Sequence, residues 1–158
     1  MDLLQDDDLI TIEVGRKSNR GPANKRKGSR VEREYANFFK EFHELLKHCK
    51  TTRNTSKLLD NCKIDLNFLP ILVQIKAGEQ KGLNPSIILK QMSEALRENI
   101  PQSYPEHKMP KIVIHHKDLP KGKRTRSPED TMVSMTFDDW LILFSAFINQ
   151  INNDNKTR

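Results

Sequence analysis

Asp65, Gln74 and Lys76 lie within twelve positions of one another, in a stretch otherwise dominated by apolar residues. A carboxylate and an amide oxygen side by side can hold a hard cation such as Mg²⁺, and an ammonium next to them can orient or deprotonate a water molecule. Those are the three tasks that hydrolysis of a phosphodiester requires. The pattern also has an ordinary explanation: Asp65 and Lys76 on neighbouring strands would form a cross-strand ion pair on a solvated sheet face, worth roughly 0.2–1 kcal/mol.

What must position these groups is a pair of strands. Residues 62–68 and 71–77 each alternate apolar with polar side chains and are separated by Leu69 and Pro70, which predicts adjacent strands of a hairpin. Strand side chains alternate between faces, so Cys62, Ile64, Leu66 and Phe68 share one face and Lys63, Asp65 and Asn67 the other. In the second strand Ile71, Val73 and Ile75 share a face, leaving Gln74 and Lys76 together. Pairing the apolar faces sets Asp65, Gln74 and Lys76 next to each other.

Upstream, Arg16, Lys17, Arg20, Lys25, Arg26, Lys27 and Arg30 are interrupted by Gly15, Gly21, Pro22 and Gly28, the composition of a flexible basic arm. Ser29 then reads as a helix N-cap, with Glu32 three residues on. Val31, Tyr35, Phe38, Phe39, Phe42, Leu45, Leu46 and Cys49 follow at helical spacing. Glu32 fits the reciprocal cap and needs no metal to be useful there. Helical geometry does not separate it from Glu34, since each flanks the apolar stripe.

An Asp followed nine positions later by Gln-x-Lys in an apolar strand resembles the PD-(D/E)xK nucleases, in the variant with Gln for the usual Glu. The run Arg26-Lys27-Gly28-Ser29-Arg30-Val31-Glu32-Arg33-Glu34 resembles the opening of archaeal- and phage-type Holliday-junction resolvases, where Arg-Lys-Gly precedes Glu-Arg-Glu on the first helix. The resemblance spans residues 26–77 and implies a restriction-endonuclease-like αβββαβ core. It implies a metal site made of Glu32, Asp65, Gln74 and the backbone carbonyl of Ile75, with Lys76 assisting the attacking water and Mg²⁺, or Mn²⁺, as cofactor. Arg53, Thr55 and Ser56 occupy the place where the family carries an arginine and small hydroxyl residues. The implied substrate is branched or four-way-junction DNA in recombination, replication or repair. Two symmetric cuts require a homodimer. Gln74 is the main departure, because a neutral amide binds Mg²⁺ more weakly than a carboxylate.

The remaining elements follow from periodicity. Asn84 and Pro85 form a helix start, and Ile88, Met92, Ala95 and Leu96 supply one apolar face before Pro101. Residues 111–117 and 131–135 read as strands joined by a basic connection carrying Lys121, Lys123, Arg124 and Arg126. Thr136 and Asp139 form a capping pair for a last helix whose stripe is Phe137, Trp140, Leu141, Phe144, Phe147, Ile148 and Ile151. That stripe reads first as core and alternatively as a dimer interface. The fold class expected is α/β, a central mixed sheet flanked by helices. The domain spans 29–152, preceded by an acidic then basic arm over 1–28 and followed by a polar tail over 153–158. Within the arm, Asp6, Asp7 and Asp8 precede residues 9–14, an edge strand or a mobile segment.

Composition bounds the function. The chain has 158 residues, 30% of them charged, and a formal net charge of +6, which favours a polyanionic partner but is shared by ribosomal and chaperone proteins. With a nuclease core, Arg26, Lys27, Arg30, Arg53, Ser56, Lys121, Lys123, Arg124 and Arg126 become candidate DNA contacts. Such contacts position a duplex without reading its sequence; otherwise these charges are simply solvated. His43, His48, Cys49 and Cys62 have no paired spacing typical of zinc, and His115 and His116 receive no role. Two cysteines and no apolar leader predict a reducing cytoplasm, the host's if the protein is phage-encoded. No apolar run approaches the roughly 20 residues of a membrane span. Two rivals stay open: another PD-(D/E)xK nuclease, restriction-type or exonuclease, and a non-catalytic DNA-binding protein in which Gln74 marks a decayed site.

Overall fold

The computed structural model describes residues 20–78, 83–118 and 130–156. In chain order the elements are α1 (Arg20–Phe42), β1 (Lys50–Thr51), α2 (Lys57–Asn61), β2 (Leu66–Asn67), β3 (Leu72–Ala77), α3 (Pro85–Asn99), β4 (Lys111–His116), β5 (Thr131–Met135) and α4 (Phe137–Lys156). One sheet takes the strands in the order β1-β2-β3-β4-β5, with β3 and β4 parallel and every other neighbour antiparallel. Only the parallel pair needs a long crossover, and α3 supplies it. The architecture is the expected α/β fold, a mixed central sheet flanked by helices.

Both faces of β3 are covered. Leu72 joins a core with Leu59, Ile64, Met92, Leu96 and Val113 under α3, while Val73 and Ile75 join Val31, Ala36, Leu66, Ile112 and Ile114 under α1. The shared face expected for Ile71, Val73 and Ile75 is present, Ile71 packing at the edge of the α1-side core. The face carrying Gln74 is not solvated as an isolated hairpin would suggest: α3 covers it, and Gln74 is 6% exposed. α3 begins as expected, Asn84 Oδ1 accepting from the Ser86 N–H at 3.0 Å with Pro85 in the first turn.

Three local expectations are corrected. First, α1 starts at Arg20, so the arm expected over 1–28 is helical from Arg20 onward and Ser29 is not its cap; residues 1–19, with the candidate strand 9–14, lie outside the described residues. Pro22 does not stop the helix because it sits in the first turn, where a missing N–H has no intrahelical partner to lose. Ser29 instead offers its carbonyl to Arg33 Nε at 3.2 Å and its hydroxyl to Arg53 Nη1 at 3.0 Å.

Second, residues 62–64 are not strand. The stretch 50–60, which reads simply as polar, holds β1 and α2. α2 carries the chain to Asn61, Cys62 caps it, and Lys63 turns with φ +63°. Cys62 and Ile64 therefore drop into the α3-side core, while Leu66 faces the α1 side. β2 ends at Asn67, and Phe68 after it turns the chain, also at φ +63° and 54% exposed.

Third, the last helix is not core. Its capping pair is real: Thr136 Oγ1 accepts from the Asp139 N–H at 3.1 Å and donates to Asp139 Oδ2 at 2.8 Å. The helix continues through Lys156, into the expected tail, but none of its described side chains enters either core. Buried Asp139 is bonded to Lys111 Nζ at 3.5 Å on the side of α4 opposite the apolar stripe, so the anchor turns the stripe outward. Among the described residues, no helix is long and apolar enough to cross a membrane.

If Ser29 is helix interior rather than a cap, Ser29→Ala shifts stability by less than about 0.5 kcal/mol, whereas a lost cap costs about 1 kcal/mol. Met92→Ala, at a fully buried position facing the sheet, costs about 2–5 kcal/mol. Urea denaturation of both variants checks the pair.

Candidate metal centre

The centre of the site is the point where β2 gives out and β3 continues. Asp65 still pairs through its backbone, its N–H donating to the Val73 carbonyl at 2.8 Å and its carbonyl accepting from the Thr52 N–H at 3.0 Å. The next ladder bond to β3 would come from residue 63, but the chain has turned away there. The Asp65 carboxylate takes its place, Oδ2 accepting the Ile75 N–H at 2.6 Å. Within a strand, a residue's N–H and C=O point to the same edge. The Ile75 carbonyl is therefore directed along the same open edge as the carboxylate.

Glu32 arrives from α1, three turns into the helix, 5% exposed beside fully buried Val31. Its Oε1 accepts from Arg53 Nη2 at 2.8 Å, and the same guanidinium holds Ser29 through Nη1. Burial raises the Glu32 pKa above the ordinary carboxylate value; Arg53 opposes this and the Asp60 carboxylate adds to it. Asp60 was not singled out from the sequence. It enters because Ser56 caps α2, its Oγ accepting from the Leu59 N–H at 3.3 Å, and Leu59 anchors that short helix in the core. The only signal was a Ser three residues ahead of a Leu-Asp pair.

The Asp65 pKa is pushed up to about 7, first by burial, then by the Glu32 charge; the Ile75 N–H, Lys76 and Arg53 pull it down. Asp65 thus feels Glu32 and Lys76 together. Gln74 and Lys76 follow Leu72 onto the α3 side of β3, whereas α1 packs on the other side. The Asp65 carboxylate, in the plane of the sheet, is where the two sides meet. Gln74 Oε1 is buried and has no hydrogen-bond partner. A buried amide oxygen left unpaired costs on the order of 1–3 kcal/mol, which a bound cation or its water would recover.

Two carboxylates, one amide oxygen and one carbonyl are donors of the hard, oxygen-only kind that suits Mg²⁺ or Mn²⁺. No group of three His, Cys, Asp or Glu side chains placed to hold a metal occurs among the described residues. The donor set at Asp65 depends on Gln74 and the backbone for its remaining members. Cys49 and Cys62 lie in separate cores on opposite faces of the sheet. His43 caps a turn, accepting the Leu45 N–H at 3.1 Å, and His116 is buried against Tyr35, their rings edge to face at 5.5 Å.

The candidate DNA contacts fall into four groups. Arg26 is exposed and, with Lys25, Ser29 and Arg33, lines a cleft of about 340 Å³ along α1; exposed Arg30 pairs with Glu34 at 3.4 Å one turn on. Lys27 is ion-paired with Asp118 next to Gly78, whose φ of +114° turns the chain after β3. Arg53 and Ser56 are committed inward, to Glu32 and to the α2 cap, and Thr55 donates to the Thr51 carbonyl at 3.0 Å. Lys121, Lys123, Arg124 and Arg126 lie outside the described residues.

Compared with protein-family models, with curated proteins and with solved structures, the chain matches none.

A carboxyl whose folded pKa lies near 7 and whose unfolded pKa lies near 4 favours the folded state while protonated. Its contribution is complete below pH 4 and is lost as pH rises through 7. The metal-free protein in EDTA is therefore expected to lose on the order of 1–2 kcal/mol between pH 5.5 and pH 8 through this group, and Asp65→Asn to flatten that loss. Urea titrations of both proteins at the two pH values measure it. An equally steep loss in the variant would remove Asp65 as its source.

Proposed function

We propose that this protein is a Mg²⁺-dependent endonuclease that hydrolyses phosphodiester bonds in branched DNA, resembling the Holliday-junction resolvases of the PD-(D/E)xK type. The single observation that carries the reading is the buried, unpartnered Oε1 of Gln74 one residue from Ile75, whose N–H holds the half-buried Asp65 carboxylate. A restriction-endonuclease-like core of helix, three strands, helix and strand would take α1, β1, β2, β3, α3 and β4, with the short α2 inserted between β1 and β2. The basic cleft along α1 supplies phosphate contacts.

In this reading Glu32, Asp65, Gln74 and the Ile75 carbonyl would hold a hard cation, which when bound would supply positive charge for phosphodiester hydrolysis. Lys76 orients the attacking water and favours its deprotonated form. Arg53 positions Glu32 through its hydrogen bond and opposes the upward push that burial gives the Glu32 pKa. Ile75, through its N–H, fixes the rotamer of Asp65. Arg26 and Arg30 steer the DNA backbone. A four-way junction is cut twice symmetrically, so the active form is a homodimer.

Incubation with labelled four-way junction and linear duplex, in Mg²⁺ or in EDTA, tests the reading. Paired nicks near the crossover are expected, abolished by EDTA and reduced at least about 100-fold in Asp65→Ala. Gln74→Glu is expected to lower the half-saturating Mg²⁺ concentration by about tenfold, because a carboxylate replaces an amide at a hard cation. Equal cutting of linear duplex would indicate a general nuclease of the same type. Tight DNA binding without cutting in Mg²⁺ or Mn²⁺ would leave a non-catalytic DNA-binding protein.

A further inference from the structure

Along α4, Phe137, Leu141, Phe144, Ile148 and Ile151 recur at alternating intervals of four and three residues, a mean period of 3.5. At about 100° per residue these five positions trace one face of the helix. Trp140 and Phe147 widen the stripe on one side. All seven are solvent-exposed, between 39% for Ile148 and 70% for Phe137. Phe137, Trp140 and Phe144 are stacked, with ring centroids 5.6 and 4.8 Å apart, a rigid aromatic ladder facing outward.

The stripe cannot turn back onto its own domain while the first turn is held. Thr136 alone links β5 to α4, and the buried Asp139–Lys111 pair clamps the opposite side of the helix. Over 20 residues α4 extends about 30 Å. With aromatic side chains of about 150–250 Å² each, the stripe presents roughly 700 Å² of apolar surface at these exposures. That exceeds the few hundred Å² usual for a monomer's largest patch and approaches the ~800 Å² per partner of a standard protein interface.

We propose that α4 is a self-association helix, its stripe packing against the same stripe of a second copy of this chain about a two-fold axis. An isologous contact buries the same stripe on both copies, so the roughly 700 Å² of one stripe is what each partner contributes to it. A membrane surface is the poorer fit: helices lying on bilayers carry Lys and Arg on their polar face. Residues 137–155 contain neither, and the side opposite the stripe carries Asp139, Asn149, Gln150 and Asn153 together with Ile142, itself 47% exposed. The inference rests on the exposed stripe and is independent of the nuclease reading.

Sedimentation velocity on the full chain, without DNA or metal, from about 1 to 100 µM brackets the affinity expected for an interface of this size. The wild type is expected to shift from one to two chains in mass across that range. Phe144→Glu is expected to stay monomeric, with at least a 100-fold weaker association, while Asn149→Glu on the polar side associates as the wild type does. Far-UV circular dichroism and urea denaturation report whether each variant keeps its fold. A second approach avoids a buried charge: Phe144→Cys, at the centre of the seam, is expected to form a covalent dimer on mild oxidation, since Cys49 and Cys62 are buried. A wild type that is monomeric throughout overturns the proposal, and so does an undiminished Phe144→Glu dimer. Monomers that sediment with anionic vesicles would assign α4 to a membrane surface instead. Loss of junction cleavage with the dimer intact would count against the nuclease reading alone.

Discussion

The hydrogen bond from the Ile75 N–H to the Asp65 carboxylate is the contact around which the site is arranged. β2 is two residues long and turns away at Lys63, so the edge of β3 beyond it would be left with an unpaired donor in a largely buried place. A side-chain oxygen closes that gap. The same substitution pulls a carboxylate out of water, and burial then raises its pKa to about 7. The electrostatic character of the site is a by-product of how the ladder is finished.

The groups nearby respond to that half-buried carboxyl. Glu32 adds a second carboxylate from α1 and Arg53 offsets part of the charge, drawing a guanidinium inward to both Glu32 and Ser29. Lys76 contributes from the α3 side of β3. Gln74 is the exception, a buried amide whose oxygen has no protein partner. A fold usually satisfies such atoms, and this one lies on β3 next to Ile75, whose N–H holds the Asp65 carboxylate.

The second organising constraint is the clamp at Lys111 and Asp139. A 20-residue helix with a strongly apolar stripe would normally lie across the sheet. Here its first turn is fixed with the polar side inward, and the apolar side is left to solvent. Burial of a charged pair at the root of the helix thus decides which surface the molecule presents.

By itself the sequence determined the elements with strong periodicity and clear punctuation: α3 with its Asn84-Pro85 start, β4, β5, the Thr136 cap, and the alternation that groups Gln74 with Lys76. These follow from local rules, which depend on residues a few positions apart. Alternation also grouped Asp65 with Gln74 and Lys76, whereas Glu32 was favoured over Glu34 by the family resemblance alone. Four features were decided only by the tertiary structure. α1 extends back to Arg20 across Pro22 and Gly28, because a first-turn proline breaks nothing and basic residues favour helix. The chain between Cys62 and Ile64 leaves the strand, because the α3-side core accepts both side chains. Asp60 approaches Glu32, because a short capped helix carries it there. And the stripe of α4, identical in sequence to a core stripe, faces outward, because one ion pair on its far side fixes the rotation. Periodicity specifies that a helix has an apolar face; only the packing around it specifies what that face meets.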